Sequence, residues 1–418
     1  MEYGLIGERL GHSYSKIIHE MLCDYTYDLC PLAPDQVEDF MRRHDWKAIN
    51  VTIPYKRTVM PYLDSIDEQA AAIGAVNTVV NKNGRLEGHN TDFGGFLYMV
   101  KAHGVSLAGK NVLVLGTGGT HKPVTAVCRA EGAARVLSVS RRPGPDVIAY
   151  EECQKHPEID IIVNTTPVGM YPNNGQCMIE MDWFPRCQAV FDAIYNPFAT
   201  ELLLRARDAG VLAVNGFEML VAQAVYAAGW FLDKTIPESE IQRVHSQLVG
   251  QLSNLTLIGM PSSGKTSLGR ALSGRLGKTF VDLDAEVVKL AGMPIPEIFA
   301  QQGEEGFRRL ESQVCRKFGA QNSQVLSTGG GVVKNAANIR ALRQNGPVIF
   351  IDRLLDELEV GGGRPLSTSR QALEEMEAVR RPLYEAAADC IVQNRGPFDR
   401  VARAIEEAFY ETACHQRP

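Results

Sequence analysis

One segment restricts this chain more than any other: Gly259-Met-Pro-Ser262-Ser263-Gly264-Lys265-Thr266, with the spacing G-x-x-x-x-G-K-T. The apolar run 255–258 before it reads as a buried strand, and residues 267–276 after it have helical spacing. Strand, glycine loop and helix in that order direct backbone N–H groups and a helix N-terminus at one anion. In such a loop the lysine reaches the β- and γ-phosphates of ATP, and the hydroxyl that follows ligates Mg²⁺. Gly259, Ser262, Ser263, Gly264, Lys265, Thr266 and Ser267 are therefore expected around ATP, with Thr266 also on the metal. A chance match in an ordinary loop would lack the flanking strand and helix.

Strand-length apolar runs recur at 3–7, 48–53, 111–115, 136–139, 159–164, 190–193, 325–328 and 348–351, and most precede a turn and a helical pattern. That alternation predicts α/β architecture with buried, mostly parallel strands. At 418 residues the chain exceeds one core. Boundaries are expected near 101–111 and in a polar helical stretch at 237–253. The expected organisation is a substrate-binding α/β domain over 1–105, a Rossmann-like domain over 106–216, a linker over 237–253 and a phosphate-loop domain over 254–418.

A net charge of −6 gives no general attraction to nucleic acid or anionic membrane, so anion binding must be local and the partners small molecules. Nine cysteines without a C-x-x-C pair fit reduced thiols better than disulfides or zinc. The opening residues show no basic region followed by a long apolar stretch, so a cytoplasmic location is expected. The oligomeric state is left open.

Downstream of the loop, Phe280-Val-Asp282-Leu-Asp284 ends a strand pattern, and alternation would turn both carboxylates to one face. One could support Mg²⁺ while the other orients an acceptor hydroxyl, or both could cap the next helix. Arg308 and Glu311 stand three apart on a helix, where the acid can fix the guanidinium for a grip on a carboxylate. Three glycines follow a strand in Ser327-Thr-Gly329-Gly330-Gly331. Gly361-Gly-Gly-Arg364-Pro-Leu366 reads as a closing loop whose arginine meets transferring phosphate.

The succession GMPSSGKT, FVDLD, GEEGFRRLE, STGGG, GRPL and RRPLYEAAAD resembles shikimate kinase over 254–410. The resemblance implies that Asp282 supports Mg²⁺, that Asp284, Arg308, Gly330, Gly331 and Arg380 hold shikimate, and that Glu311 braces Arg308. It further implies a lid role for Arg364, catalytic roles for Lys265 and Asp284, and an adenine border at Arg395.

Upstream, the run 111–115 leads into Gly116-Thr-Gly118-Gly119, a glycine turn of dinucleotide type whose third glycine position holds His121. After the strand ending at Val139, where an NAD site has an acid, this chain has Ser140-Arg141-Arg142. Guanidiniums there favour a 2′-phosphate, hence NADP(H), and Lys122 adds a further positive charge. The alternative is a solvated basic turn.

The first hundred residues carry polar groups in apolar frames: Ser13 and Ser15, Thr52 and Lys56, Asn77, and Asp92. Hydroxyls and amides suit a polyhydroxylated ligand, and a lysine with a carboxylate partner can move a proton in a carbonyl–alcohol interconversion. With Asn164-Thr-Thr-Pro-Val-Gly-Met170, Asp192-Ala-Ile-Tyr195 and Gly216-Phe-Glu-Met-Leu-Val-Ala-Gln223, these motifs resemble shikimate dehydrogenase over 2–236. The resemblance implies Lys56 and Asp92 as the catalytic pair, and Ser13, Ser15, Thr52, Asn77, Tyr195 and Gln223 around the substrate. Met170 and Gly216 would border the nicotinamide, and helices at about 217–236 would return to the substrate domain.

The sequence thus predicts a fused enzyme that reduces 3-dehydroshikimate with NADPH and phosphorylates shikimate with ATP and Mg²⁺. Two alternatives are a quinate-oxidising first site that uses NAD and a metabolite sensor without catalysis. Ser13 with Ser15 and Arg141 with Arg142 oppose the first, and retention of Lys56, Asp92, Lys265 and Asp284 opposes the second.

Overall fold

Short apolar runs buried on both faces condense into three sheets, each with helices packed against it. The computed structural model describes residues 1–11, 13–359 and 369–414. Two compact units result: Met1–Gly169, Gln176–Tyr195 and Glu201–His245 form one, and Met170–Gly175, Asn196–Thr200 and Ser246–Pro418 the other. The division falls inside the helix Ser239–Leu252, so the expected linker is helical over most of its length.

In the first unit, β1 (Tyr3–Gly7), β2 (Tyr27–Pro31), β3 (Ala48–Val51), β4 (Ser65–Ile66), β5 (Thr78–Lys82) and β6 (Arg85–His89) form a sheet in the order β2-β1-β3-β5-β6-β4. Its pairings are parallel around β1 and antiparallel at β3–β5 and β5–β6. The hairpin β5–β6 was not among the expected strands, although Asn83-Gly84 between them is a two-residue turn signal. Asn83 at φ 56° and Gly84 at φ 88° supply the two positive dihedrals that such a turn requires. The helix Phe217–Leu232 packs back onto this sheet, with Ala227 and Phe231 in one cluster with Leu5, Tyr27, Ala48 and Val80.

The second sheet of this unit joins β7 (Asn111–Leu115), β8 (Arg135–Val139), β9 (Val147–Ile148), β10 (Ile161–Asn164), β11 (Ala189–Asp192) and β12 (Leu212–Val214). Its order, β12-β11-β10-β7-β8-β9, reverses direction between β7 and β10, and its strand-to-strand pairings are parallel. Such a switch point opens a crevice at the carboxyl ends of the strands, where dinucleotides bind. The glycine turn after β7 lies at that crevice.

The second unit is built on β13 (Leu255–Ile258), β14 (Thr279–Asp282), β15 (Gln324–Ser327), β16 (Val348–Asp352) and β17 (Cys390–Gln393), parallel and in the order β14-β15-β13-β16-β17. Here too the order reverses at the strand that carries the glycine loop, between β15 and β16. One expectation needs correction: Asp284 is not on a strand. β14 ends at Asp282, whose side chain caps the helix Leu283–Ala291, and Asp284 sits in that helix's first turn. Strand alternation therefore does not relate the two carboxylates; a helix start does.

Candidate functional site

In the second unit, Gly259 at φ 149° and Gly264 at φ 93° let the loop after β13 curl into the N-terminus of the helix Lys265–Leu276. Lys265 is buried and folds back, its Nζ donating to the carbonyls of Gly259 (2.9 Å) and Met260 (2.7 Å). Thr266 Oγ1 donates to Asp282 Oδ2 at 3.1 Å and lies 3.3 Å from Ser327 Oγ. These three side chains come from the loop and from the ends of β14 and β15. Asp282 caps the next helix, its Oδ1 accepting the N–H groups of Asp284 (3.1 Å) and Ala285 (3.3 Å), which leaves Oδ2 for Thr266. A hydroxyl beside a carboxylate at a phosphate loop fits an oxygen-seeking Mg²⁺. Ser327 has no signal of its own in the sequence and reaches Thr266 because β15 pairs with β13.

Beyond the loop opens a cavity of about 390 Å³. Asp284, Arg308, Glu311, Gly330, Gly331 and Arg380 line it together with Lys265 and Thr266, while Ile295, Phe299, Phe307 and Met376 supply apolar walls. The expected phosphate-site and acceptor-site residues thus meet in one concavity. Arg308 Nη1 donates to Glu311 Oε2 at 2.8 Å, and its Nη2 reaches Glu304 at 3.1 Å. Burial raises the Glu311 carboxyl from its ordinary value, and the adjacent Arg308 guanidinium opposes that shift.

The glycines explain how these groups approach so closely. A Cβ on Gly331 would overlap the Arg308 guanidinium, one on Gly329 would overlap the Asp284 carboxylate, and one on Gly330 would lie 2.8 Å from Pro261. Arg380 Nη1 donates to the carbonyl of Gly330 at 2.9 Å, and the Tyr384 hydroxyl donates to the same oxygen. Arg395 is exposed at the turn after β17, whereas its neighbour Asn394 donates to the Ser263 carbonyl at 2.8 Å. Arg364 lies outside the described residues.

In the first unit, Lys56 Nζ meets Asp92 Oδ2 at 2.6 Å, with the two side chains 17% and 4% exposed. Asp92 stands in the first turn of the helix Thr91–Ala102, capped by Asn90 Oδ1, which accepts the Asp92 N–H at 3.0 Å. Asn77 grips the same helix start: its Oδ1 accepts the Thr91 N–H at 2.8 Å and its Nδ2 donates to Thr91 Oγ1 at 3.2 Å. Asn77 is thereby tied to the helix start that carries Asp92, the partner of Lys56.

The other expected substrate residues are held separately. Ser13 Oγ accepts the N–H of Ser15 at 3.2 Å, Thr52 donates its N–H to Ile6 at 2.9 Å, and the Tyr195 ring rests 5.7 Å from that of Tyr14. Gln223 packs where Gly95 admits it: a Cβ there would lie 2.8 Å from Gln223 Cγ.

At the glycine turn, Gly116 has φ 98° and a Cβ on it would meet Thr166 at 2.7 Å, whereas Gly118 and Gly119 have open space where a Cβ would stand. That open cradle at a helix N-terminus fits a pyrophosphate. Ser140 ties the two expected cofactor segments: its Oγ receives Thr117 Oγ1 at 3.4 Å and the Arg142 N–H at 3.2 Å. Arg141 and Arg142 are exposed at that turn. His121 fills the third glycine position and lies 2.8 Å from Ser138 Oγ of β8. Lys122 extends toward Gly74, its Nζ 3.5 Å from where a Cβ would stand. A Cβ on Gly216 would overlap the carbonyl of Ala193, and Met170 is exposed and groups with the second unit.

A dinucleotide fold beside a part-buried lysine–aspartate pair, together with a phosphate-loop fold around an acid- and arginine-lined cavity, defines a nucleotide-dependent enzyme with two active sites. Residues 5–79 match the family model for the shikimate dehydrogenase substrate binding domain, and residues 261–409 match that for shikimate kinase. The NADP(+) shikimate dehydrogenase of Caldanaerobacter subterraneus is 36% identical over 268 residues, which cover 57% of this chain and 96% of that protein. Among solved structures, a chorismate mutase/shikimate 5-dehydrogenase fusion from Clostridium acetobutylicum is similar with TM-score 0.57 and 35% identity, covering 59% of this chain and 96% of its own. Shikimate 5-dehydrogenase from Thermus thermophilus, in complex with NADP(H) and shikimate, follows with TM-score 0.54 and 27% identity, covering 59% and 99%. The chain belongs to the shikimate dehydrogenase family and carries a shikimate kinase domain after it, which makes it a bifunctional enzyme of the shikimate pathway.

Proposed function

We propose that the first site reduces 3-dehydroshikimate to shikimate with NADPH, and that the second phosphorylates the 3-hydroxyl of shikimate with ATP. The observation that carries this reading is the Lys56–Asp92 pair at 2.6 Å, with its carboxylate buried, in a chain whose other unit gathers Asp284, Arg308 and Arg380 around a phosphate loop. The product of one site is then the substrate of the other.

In the first site, NADPH when bound supplies the hydride. Lys56 protonates the oxygen that becomes the new hydroxyl, and Asp92 holds the Lys56 side chain in place. Asn77, through its hold on Thr91, fixes the helix start that carries Asp92. Ser13, Ser15, Thr52, Tyr195 and Gln223 surround the carboxylate and hydroxyls of the substrate, and Met170 and Gly216 border the nicotinamide. Gly116, Gly118 and Gly119 leave room for the pyrophosphate, and Ser140, Arg141, Arg142 and Lys122 serve the 2′-phosphate side.

In the second site, MgATP when bound supplies the phosphoryl group. Lys265 exchanges its loop carbonyls for phosphate oxygens, Thr266 and Asp282 hold the metal, and Asp284 orients the attacking hydroxyl. Arg308, braced by Glu311, takes the carboxylate of shikimate with Arg380, and Gly330 and Gly331 permit the close approach. Arg364 neutralises charge on the transferring group, and Arg395 borders adenine.

We also propose a substrate domain over 1–105 completed by about 217–236, a cofactor domain over 106–216 and a kinase domain over 254–418. The reading is completed by a cytoplasmic, small-molecule enzyme that takes no nucleic acid. Among the described residues no helix is long and apolar enough to cross a membrane.

Purified full-length protein should oxidise NADPH in proportion to 3-dehydroshikimate added, and release ADP only when shikimate is present. Preference for 3-dehydroquinate with NADH would overturn the substrate assignment, and binding of shikimate without either turnover would overturn catalysis.

A further inference from the structure

Arg353 is the one cation lining the kinase cavity, among its described residues, for which the sequence gives no role. It follows β16, the strand beside the loop-bearing β13, in a register that pairs Ile258 with Phe350. The strand end is held on both sides: Asp352 Oδ1 accepts Arg381 Nη2 at 2.7 Å, and the Asp352 carbonyl accepts the Asn394 N–H at 2.7 Å. Anchored there, Arg353 directs Nη1 to the carbonyl of Ser262 at 3.4 Å. Ser262 lies in the phosphate loop at φ 63°, and its hydroxyl in turn donates to the Glu359 carbonyl at 3.4 Å.

The acid paired with Arg353, Glu357, stands 3.3 Å from Nε with the two side chains 35% and 42% exposed. A pair so exposed is worth little and yields readily to a stronger anion. A guanidinium carries five N–H donors in a fixed fork, more than Ser262 and Glu357 occupy, and the fork matches phosphate oxygens. Lys265 is buried against the loop's own carbonyls, whereas Arg353 is partly exposed beside Ser262.

We infer that Arg353 is a nucleotide-binding residue of the kinase site: it steadies the phosphate loop through Ser262 and engages the polyphosphate of ATP. This rests on the kinase reading above. Arg353 is carried by the end of β16, which the Arg381 and Asn394 contacts to Asp352 hold in place.

The test measures dissociation constants by calorimetry on the full chain, for ATP, adenosine and inorganic tripolyphosphate, with Arg353→Ala and Arg353→Lys. Arg353→Ala should weaken ATP and tripolyphosphate alike by about 10-fold, the size expected for one charge-assisted contact. Arg353→Lys, which keeps the charge and loses the fork, should fall between. KM for ATP should rise in parallel, while KM for shikimate and the NADPH reaction stay at wild-type values, which also shows that the variants fold. Unchanged ATP affinity in Arg353→Ala would overturn the inference. So would weaker adenosine binding with tripolyphosphate unaffected, because the side chain would then serve the base. Wild-type protein that bound no ATP would overturn the kinase reading itself, and this assignment with it.

Discussion

Two glycine clusters in this chain follow a strand and face a nucleotide-binding fold, yet they exist for different reasons. At Gly118 and Gly119 a side chain would meet no protein atom, so the absent Cβ leaves room for something that comes from outside. At Gly329 and Gly331 a side chain would overlap Asp284 and Arg308, so the absent Cβ leaves room for the protein's own charged groups. The first cluster is a cradle and the second is a set of windows through which acid and arginine reach the cavity. Similar spellings in sequence therefore predict opposite consequences for stability and binding.

The charged groups behind the clusters should show the largest effects. Lys56→Ala should lower the rate of reduction by about 10³-fold, the scale of a lost general acid, and leave phosphorylation intact. Steady-state assays of both reactions on the same preparation check this.

Gly331→Ala should raise KM for shikimate in the kinase reaction by about 100-fold, because Arg308 must leave its place and its charge-assisted bond to the substrate is lost. Thermal melting should fall with it, since the displaced guanidinium also abandons Glu311, a buried carboxylate.

Gly118→Ala should raise KM for NADPH by about 10-fold while the melting temperature without cofactor stays unchanged, because the new methyl meets only ligand. A loss of stability in Gly118→Ala, or none in Gly331→Ala, would break the contrast between cradle and windows.

The smallest effects lie away from both sites, in one buried base per unit. Burial, opposed by a bond to Asn50, lowers His19 from 6.5 to about 3, and its ring stacks on Tyr27 at 4.1 Å. The unfolded state binds the extra proton between those values, so the first unit should lose stability as pH falls from about 6.5 toward 3. Burial lowers Lys278 from 10.5 to about 8, where its Nζ caps the carbonyls of Gly250 (2.8 Å) and Gln251 (2.7 Å). The same sign gives the second unit stability that rises as pH climbs from about 8 toward 10.5. Denaturant titrations across pH should show each slope flattened in His19→Leu and Lys278→Met respectively.

Much of both sites was legible because their residues sit in short motifs at strand ends. The phosphate loop and the Arg308–Glu311 pair needed only local spacing and residue chemistry, whereas Lys56 and Asp92, 36 positions apart, were joined by complementary chemistry and the family resemblance. Alternation misplaces Asp284 because β14 ends two residues sooner, at Asp282, where a helix cap takes over. The hairpin at Asn83-Gly84 is signalled by its turn alone, because its strands carry Asn, Lys and Glu and lack a long apolar run. Ser327 and Arg353 acquire their positions from strand order, with β15 and β16 flanking β13. Spacing along the chain does not reveal such neighbours; a basic residue directly after a strand of a phosphate-loop sheet was the only signal Arg353 offered.

The central claim, two independent sites catalysing consecutive reactions, is tested most directly by product analysis on Lys56→Ala and Lys265→Ala given 3-dehydroshikimate, NADPH, ATP and Mg²⁺. Lys265→Ala should accumulate shikimate and stop there. Lys56→Ala should form nothing from 3-dehydroshikimate, yet convert added shikimate to its 3-phosphate at the wild-type rate. Loss of both reactions in either variant would contradict the account.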